Sequence, residues 1–376
     1  VFYNFRMFLK TRNAKYMDVA EVALLNNVLA GVNLEGNRFF YVNPLEADGD
    51  TPFNRGNVSF GRSAWFGTAC CPTNMARLVP QISGMMYSHK KDEIFITFYA
   101  SSSTTVPLPD GSVKIVQKSD YPFSELVTIN VYPEYPQSFK MKLRIPTWAQ
   151  GDQFIPGDLY SYMTSEKSEW AVRVNGKERS VELEDGFAVL AREWNPGDKI
   201  ELFLKMDVKF NEANKNIYAD VERIAITRGP LVYCAEGLEN TNPVQKLLIE
   251  QIPDASEITS HQIDTGILKN IISVEMPVSQ IDSRSSMDQM ISLIPYYAWN
   301  NRGKGSMIVW FPTKKEQVFY YEGDKLIGGK FKSVKASSVE RGGNLRAISD
   351  PWQPESSQDL SVMPWKSVKP WKSYRV

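Results

Sequence analysis

Phe139-Lys140-Met141-Lys142-Leu143-Arg144-Ile145 alternates apolar and polar residues without a break. A period of two marks a strand with one face buried and the other wet. Its neighbours read the same way. Glu93-Ile94-Phe95-Ile96-Thr97-Phe98-Tyr99 and Val127-Thr128-Ile129-Asn130-Val131 are strands, and Phe187 to Leu190 and Ile200 to Leu204 add shorter ones. Val172-Arg173-Val174-Asn175-Gly176-Lys177 is a hairpin closed by an Asn-Gly turn. Short strands at this spacing predict an antiparallel β-sandwich. A second β block begins with Met206-Asp207-Val208. It holds Arg223 to Thr227, Leu231 to Cys234, Ile291 to Tyr297 and Met307 to Phe311.

Upstream of about residue 88 the pattern is helical. Phe2 to Leu9 reads as one helix. From Tyr16 to Ala30 the chain is apolar on nearly every face, with Asp18, Glu21, Asn26 and Asn27 as exceptions. Such a helix is normally buried among others, and Gly31 ends it. Phe39 to Val42 predicts a short strand, and residues 47–64 a loop. Pro72 suits the first turn of a helix that follows the cysteine pair, and Pro80 is expected to kink it before it fades by Tyr87. Beyond Ser333 the chain turns Ser-, Pro- and Trp-rich. The expected division is a helical part at 1–87, sandwiches at 88–210 and 211–330, and a partial β extension at 331–376.

Lys+Arg and Asp+Glu are both 43, so no basic stripe points to nucleic acid. No apolar run approaches the roughly 20 residues that span a membrane. Aromatic residues make up 12% of the chain, which suits sugar binding and packed sandwiches equally. The chain opens at Val1 inside a helix, with no signal peptide, and reads as a piece of a longer protein whose compartment stays open.

Cys70 and Cys71 are adjacent, in a chain with three cysteines. Neighbouring cysteines rarely bond to each other, because the geometry does not fit a trans dipeptide. Both sulfurs are expected beside a helix N-terminus, which favours the thiolate. A reactive or metal-binding pair competes here with two buried thiols packing as small hydrophobes. His89 and His261 sit in polar turns without a triad context. Cys234 interrupts an apolar strand and reads as core. Glu21 is a carboxylate in the most apolar helix, costly unless functional or paired with an arginine such as Arg6. Glu46 reads as a loop cap, and Gly303-Lys304-Gly305 as a turn rather than a phosphate cradle.

Trp65-Phe66-Gly67-Thr68-Ala69-Cys70-Cys71-Pro72-Thr73-Asn74-Met75-Ala76-Arg77-Leu78 resembles the signature of glycoside hydrolase family 127, the retaining β-L-arabinofuranosidases, and of the related family 146. Supporting segments follow in order, among them Tyr16 to Glu21, Phe39 to Glu46, Leu143 to Trp148, Arg228 to Glu236 and Pro295 to Arg302. The resemblance covers roughly residues 1–312.

It implies an α+β multidomain fold: the terminal helices of an (α/α)6 barrel, followed by antiparallel β-sandwich domains. It implies that Cys70 is the nucleophile, that Cys70 and Cys71 ligate zinc, that Glu21 is an active-site carboxylate and that Tyr41 lies close to the sugar. The acid/base glutamate and two more zinc ligands, a Glu and a Cys in a Glu-x-Cys segment, are expected before Val1, leaving this chain inactive alone. The implied substrate is an arabinose-containing plant glycan or glycoprotein. Two alternatives are a non-catalytic β-sandwich module that binds carbohydrate or a protein partner, and the same scaffold with another sugar specificity.

Overall fold

The strand Gln137–Arg144 organises the middle of the molecule. A computed structural model describes residues 1–54, 59–151, 153–164, 169–282 and 286–322, with backbone strands at Lys325–Gly328, Lys335–Ala336 and Tyr374–Arg375. Apart from those last two strands, the predicted extension at 331–376 lies outside the described residues.

Among the described residues, Gln137–Arg144 is the centre of a five-stranded sheet. Phe187–Trp194 pairs with it on one side and Glu93–Ile96 on the other. A six-stranded sheet faces it, with Trp170–Val174, Asp198–Leu204, Leu126–Pro133 and Gly111–Ser119 side by side. Phe139, Met141, Leu143 and Ile145 meet Val127, Ile129, Val131, Ile200 and Leu202 in one core, as the alternation requires. The turn at Asn175-Gly176 has φ of 53° and 76°, the conformation that an Asn-Gly hairpin prefers. One pairing departs from expectation: Glu93–Ile96 runs parallel to Gln137–Arg144. A parallel pair needs a long crossover, and here the chain makes it through the opposite sheet.

The second departure is more consequential. The face of Gln137–Arg144 predicted to be wet is dry at its end, where Lys142 and Arg144 are buried. Three α-helices pack on it: α1 (Phe2–Thr11), α2 (Lys15–Val22) and α3 (Cys70–Leu78). Phe8, Met17, Ala20 and Leu78 from the helices share a core with Phe95 and Phe187 from the outer face of the sheet. These helices do not by themselves show the barrel that the resemblance implies.

After α2 the helix continues as a π turn at Ala23–Val28 and a 3-10 turn at Leu29–Gly31. A π turn skips one hydrogen bond. Asn26 takes up the slack: its Nδ2 donates to the Val22 carbonyl (3.0 Å) and to the Pro230 carbonyl (2.8 Å). Its Oδ1 accepts from the Val232 amide at 2.7 Å. The helix end is thereby fastened to a strand of the second β block.

That block is one branched sheet, with 11 strands among the described residues. Arg223–Arg228 pairs with Trp310–Pro312 through its first half and with Leu231–Glu236 through its second, so the sheet folds over its own core. Glu46–Ala47 and Tyr160–Tyr162 join it from outside 211–330. Glu46 is therefore in a strand, not capping a loop. Several other expectations shift. Phe39 to Val42 forms no strand; Phe39 alone bridges to Val32 and Ser63. Tyr296–Ala298 is a 3-10 turn. Pro80 ends α3 rather than kinking it, because the chain passes into a 3-10 turn at Val79–Gln81. Among the described residues no helix is long and apolar enough to cross a membrane.

Candidate active site

Cys70 is the first residue of α3 and Cys71 the second. The leading amides of a helix have no partner within it and carry partial positive charge. Cys70 is exposed and Cys71 half-buried, so both are accessible, whereas Cys234 is fully buried in the second β core. Burial pushes the Cys234 thiol well above its ordinary value and leaves it inert.

The Tyr41 phenol lies 2.7 Å from Cys70 Sγ. That hydrogen bond holds the Cys70 thiol below its ordinary value against the opposing effect of desolvation, with smaller help from Cys71 and the amides of Cys70 and Cys71. The Tyr41 ring is seated edge-on against buried Phe66, with centroids 5.4 Å apart. The two sulfurs are 4.0 Å apart. Two thiolates on one tetrahedral zinc, each at ~2.3 Å, would sit about 3.8 Å apart, so the pair fits two corners of such a site. Among the described residues no third His, Cys, Asp or Glu joins them.

Tyr41 and Cys71 line a cavity of about 370 Å³. That is the size of a small-molecule pocket. Asn27, Gly31, Asn43, Asn74 and Met75 complete much of its wall. The π turn brings Asn27 and Val28 to the cavity while α2 faces the sandwich. Gly31 keeps it open: a Cβ there would come 3.1 Å from Met75 Sδ.

The structure thus brings together Cys70, Cys71 and Tyr41, and takes Glu21 elsewhere. Glu21 is buried and ion-paired with Arg144, whose other branch reaches Asp18 at 2.7 Å. Arg144 Nε donates to the Thr97 carbonyl at 2.6 Å. Burial opposes the guanidinium charge, but Glu21 and Asp18 outweigh it and raise its pKa well above the usual value. The arginine opposite Glu21 is Arg144, not Arg6. Two further residues, Asn54 and Arg62, support the site from the 47–64 loop, where no periodicity marks them out. His89 and His261 are exposed and lie in the strands Tyr87–Lys90 and Thr259–Gln262 rather than in turns.

Replacing Tyr41 with phenylalanine removes the phenol and keeps the ring. The Cys70 thiol then titrates higher, and iodoacetamide alkylates it several-fold more slowly at pH 7 in metal-free protein. Peptide mass spectrometry separates Cys70 from Cys71 and Cys234, and an unchanged Cys70 rate removes the phenol from the account.

Three domain descriptions of one family match this chain in order. They are the β-L-arabinofuranosidase GH127 catalytic domain at residues 1–84, the GH127 middle domain at 93–206 and the glycoside hydrolase family 127 C-terminal domain at 208–312. A non-reducing end β-L-arabinofuranosidase of Bifidobacterium longum subsp. longum is 31% identical over 319 residues, which is 79% of this chain and 45% of that protein. A solved GH127 β-arabinofuranosidase superposes with a TM-score of 0.77 at 34% identity, over 84% of this chain and 48% of its own. A GH127 β-L-arabinofuranosidase from Geobacillus stearothermophilus T6 gives 0.73 at 30% identity, over 83% and 48%. The chain spans about half the length of these relatives.

Proposed function

The chain belongs to glycoside hydrolase family 127, and from that premise we propose that the full-length protein is a retaining β-L-arabinofuranosidase with Cys70 as its nucleophile. The observation that carries the assignment is the Tyr41 phenol 2.7 Å from an exposed sulfur at the start of a helix. The relatives' names supply the sugar, and the substrate is an arabinose-containing plant glycan or glycoprotein.

The Cys70 thiolate attacks the anomeric carbon. A C–S bond forms as the C–O bond to the aglycone breaks, and a carboxylic acid protonates the departing oxygen. The same carboxylate then deprotonates water, which displaces the sulfur, and two inversions give retention. Cys70 and Cys71 would hold a zinc ion, which supplies a Lewis acid that keeps sulfur deprotonated and eases its departure. An acid/base and further zinc ligands would have to join the pair, since among the described residues no third His, Cys, Asp or Glu does. Glu21 holds the buried Arg144 guanidinium together with Asp18, so a sugar contact that drew Glu21 away would weaken that cluster. Glu21 is accordingly kept in the ion pair, and Tyr41 touches the sugar.

The full-length protein should release L-arabinofuranose from an aryl β-L-arabinofuranoside with the β anomer appearing first in the NMR spectrum, and contain zinc by elemental analysis. This 376-residue chain alone should not turn the substrate over. Preference for another sugar in a panel of aryl glycosides would overturn the specificity. A zinc-free protein inactive on all of them would leave a binding module instead.

A further inference from the structure

Arg62 is buried, with 6% of its surface exposed, and among the described residues no carboxylate forms an ion pair with it. Its guanidinium is satisfied by carbonyls from two parts of the fold. Nε and Nη2 donate to Ala30 at 3.2 and 2.8 Å. Nη1 donates to Trp299 at 2.8 Å and Nη2 to Tyr297 at 3.3 Å. The ring of Phe40 lies 4.1 Å from its centre. The Ala30 carbonyl ends the helix whose last turns wall the cavity, where a cation complements the negative pole. Tyr297 and Trp299 belong to the second β block.

The residues flanking Arg62 carry the connection on to Tyr41. Ser63 and Phe39 exchange backbone hydrogen bonds at 2.8 and 2.9 Å. Asn54, 1% exposed, donates to the Gly61 carbonyl at 2.9 Å and accepts the Tyr41 amide at 2.7 Å. At Gly61 the chain packs close against the β block, because a Cβ there would come 2.8 Å from Asn300 Oδ1. A buried cation with no carboxylate in contact is costly, and Glu236, which favours the Arg62 charge from a distance, is itself paired with Arg302; a neutral side chain of similar length would fill the same space. We propose that Arg62 is a positioning residue through which the C-terminal β block sets the Tyr41 phenol against Cys70, so that this block takes part in catalysis without touching the sugar.

The proposal rests on the Tyr41–Cys70 pair being the reactive centre, and its test does not need turnover. The rate of Cys70 alkylation by iodoacetamide is measured in the metal-free chain at 25 °C, with each cysteine followed by peptide mass spectrometry. Arg62→Lys keeps the charge but cannot span three carbonyls in one plane. It should slow Cys70 to the Tyr41→Phe rate, and the double variant should be no slower than either single one. A merely structural role lowers the unfolding temperature while leaving that rate and its dependence on Tyr41 unmoved. Asn54→Ser keeps Arg62 and severs its link to the Tyr41 amide, so it gives the same slowing even if Arg62→Lys cannot be purified folded. Wild-type reactivity in either folded variant, or additive slowing with Tyr41→Phe, overturns the proposal. In the full-length protein Arg62→Lys should lower kcat several-fold with KM little changed. Absence of turnover in the unmutated full-length protein would instead fail the glycosidase reading, and the alkylation result would stand apart from it.

Discussion

Replacing Cys70 with serine in the full-length protein lowers turnover of an aryl β-L-arabinofuranoside by roughly three orders of magnitude or more. The reason is the difference between a thiol and an alcohol at the same spot. Cys70 sits where the first amides of α3 and the Tyr41 phenol both stabilise negative charge. Those groups lower the pKa of the thiol and so favour its ionised form. A serine hydroxyl titrates far higher, and the same contacts leave it un-ionised. Serine preserves size and hydrogen bonding, so the fold should hold, which a wild-type circular dichroism spectrum and melting temperature would check; the zinc content of the variant separates loss of the nucleophile from loss of a metal ligand. Activity within tenfold of the unmutated enzyme would place the covalent bond on another side chain. A mechanism-based label, digested and sequenced, then identifies which one.

Replacing Arg144 with methionine destabilises the fold by about 3–5 kcal/mol, because it strands two buried carboxylates. Asp18 and Glu21 are 3% and 2% exposed, and both lean on the same guanidinium. The Thr97 carbonyl loses its 2.6 Å donor at the same time. The damage falls where α2 seats on the first sandwich, since Asp18 also accepts from the Thr147 hydroxyl at 2.6 Å. The urea midpoint should drop accordingly. A triple variant, Arg144→Met with Asp18→Asn and Glu21→Gln, should recover much of the loss, because it removes the stranded charges. A single variant within about 1 kcal/mol of wild type, or a triple one no better than the single, contradicts this reading of the cluster.

Arg144 also shows where sequence patterning stops. It stands in the most regular stretch of the chain, at a position that period two assigns to solvent. The alternation placed its apolar neighbours correctly in the sandwich core, since Phe139, Met141 and Leu143 need no knowledge of what covers the other face. Whether that other face is wet depends on helices far upstream, at Phe2–Thr11, Lys15–Val22 and Cys70–Leu78. Ile272–Ile281 alternates through Val274, Met276 and Val278, but Pro277 argues against a paired strand on sequence alone; it nevertheless forms an extensive ladder with Ser286–Pro295. Phe39 to Val42 has strand composition but no neighbour with a free edge beyond Phe39, and stays irregular.

For the site, the adjacent cysteines and the motif around them were visible as a linear string, because both sulfurs belong to one helix start. Tyr41 could be named from the resemblance, but its contact with Cys70 closes across 29 positions of chain. Local periodicity and turn chemistry act over a few residues, so the chain alone determined its strands, its hairpin and the beginning of α3. The partner of Glu21, the fastening of Asn26 to Pro230 and Val232, and the convergence of Arg62 on Ala30, Tyr297 and Trp299 were decided only by tertiary structure. Each of these is a buried polar group, and it takes whichever complementary atom the packed layers bring within about 3 Å, whatever its distance along the chain.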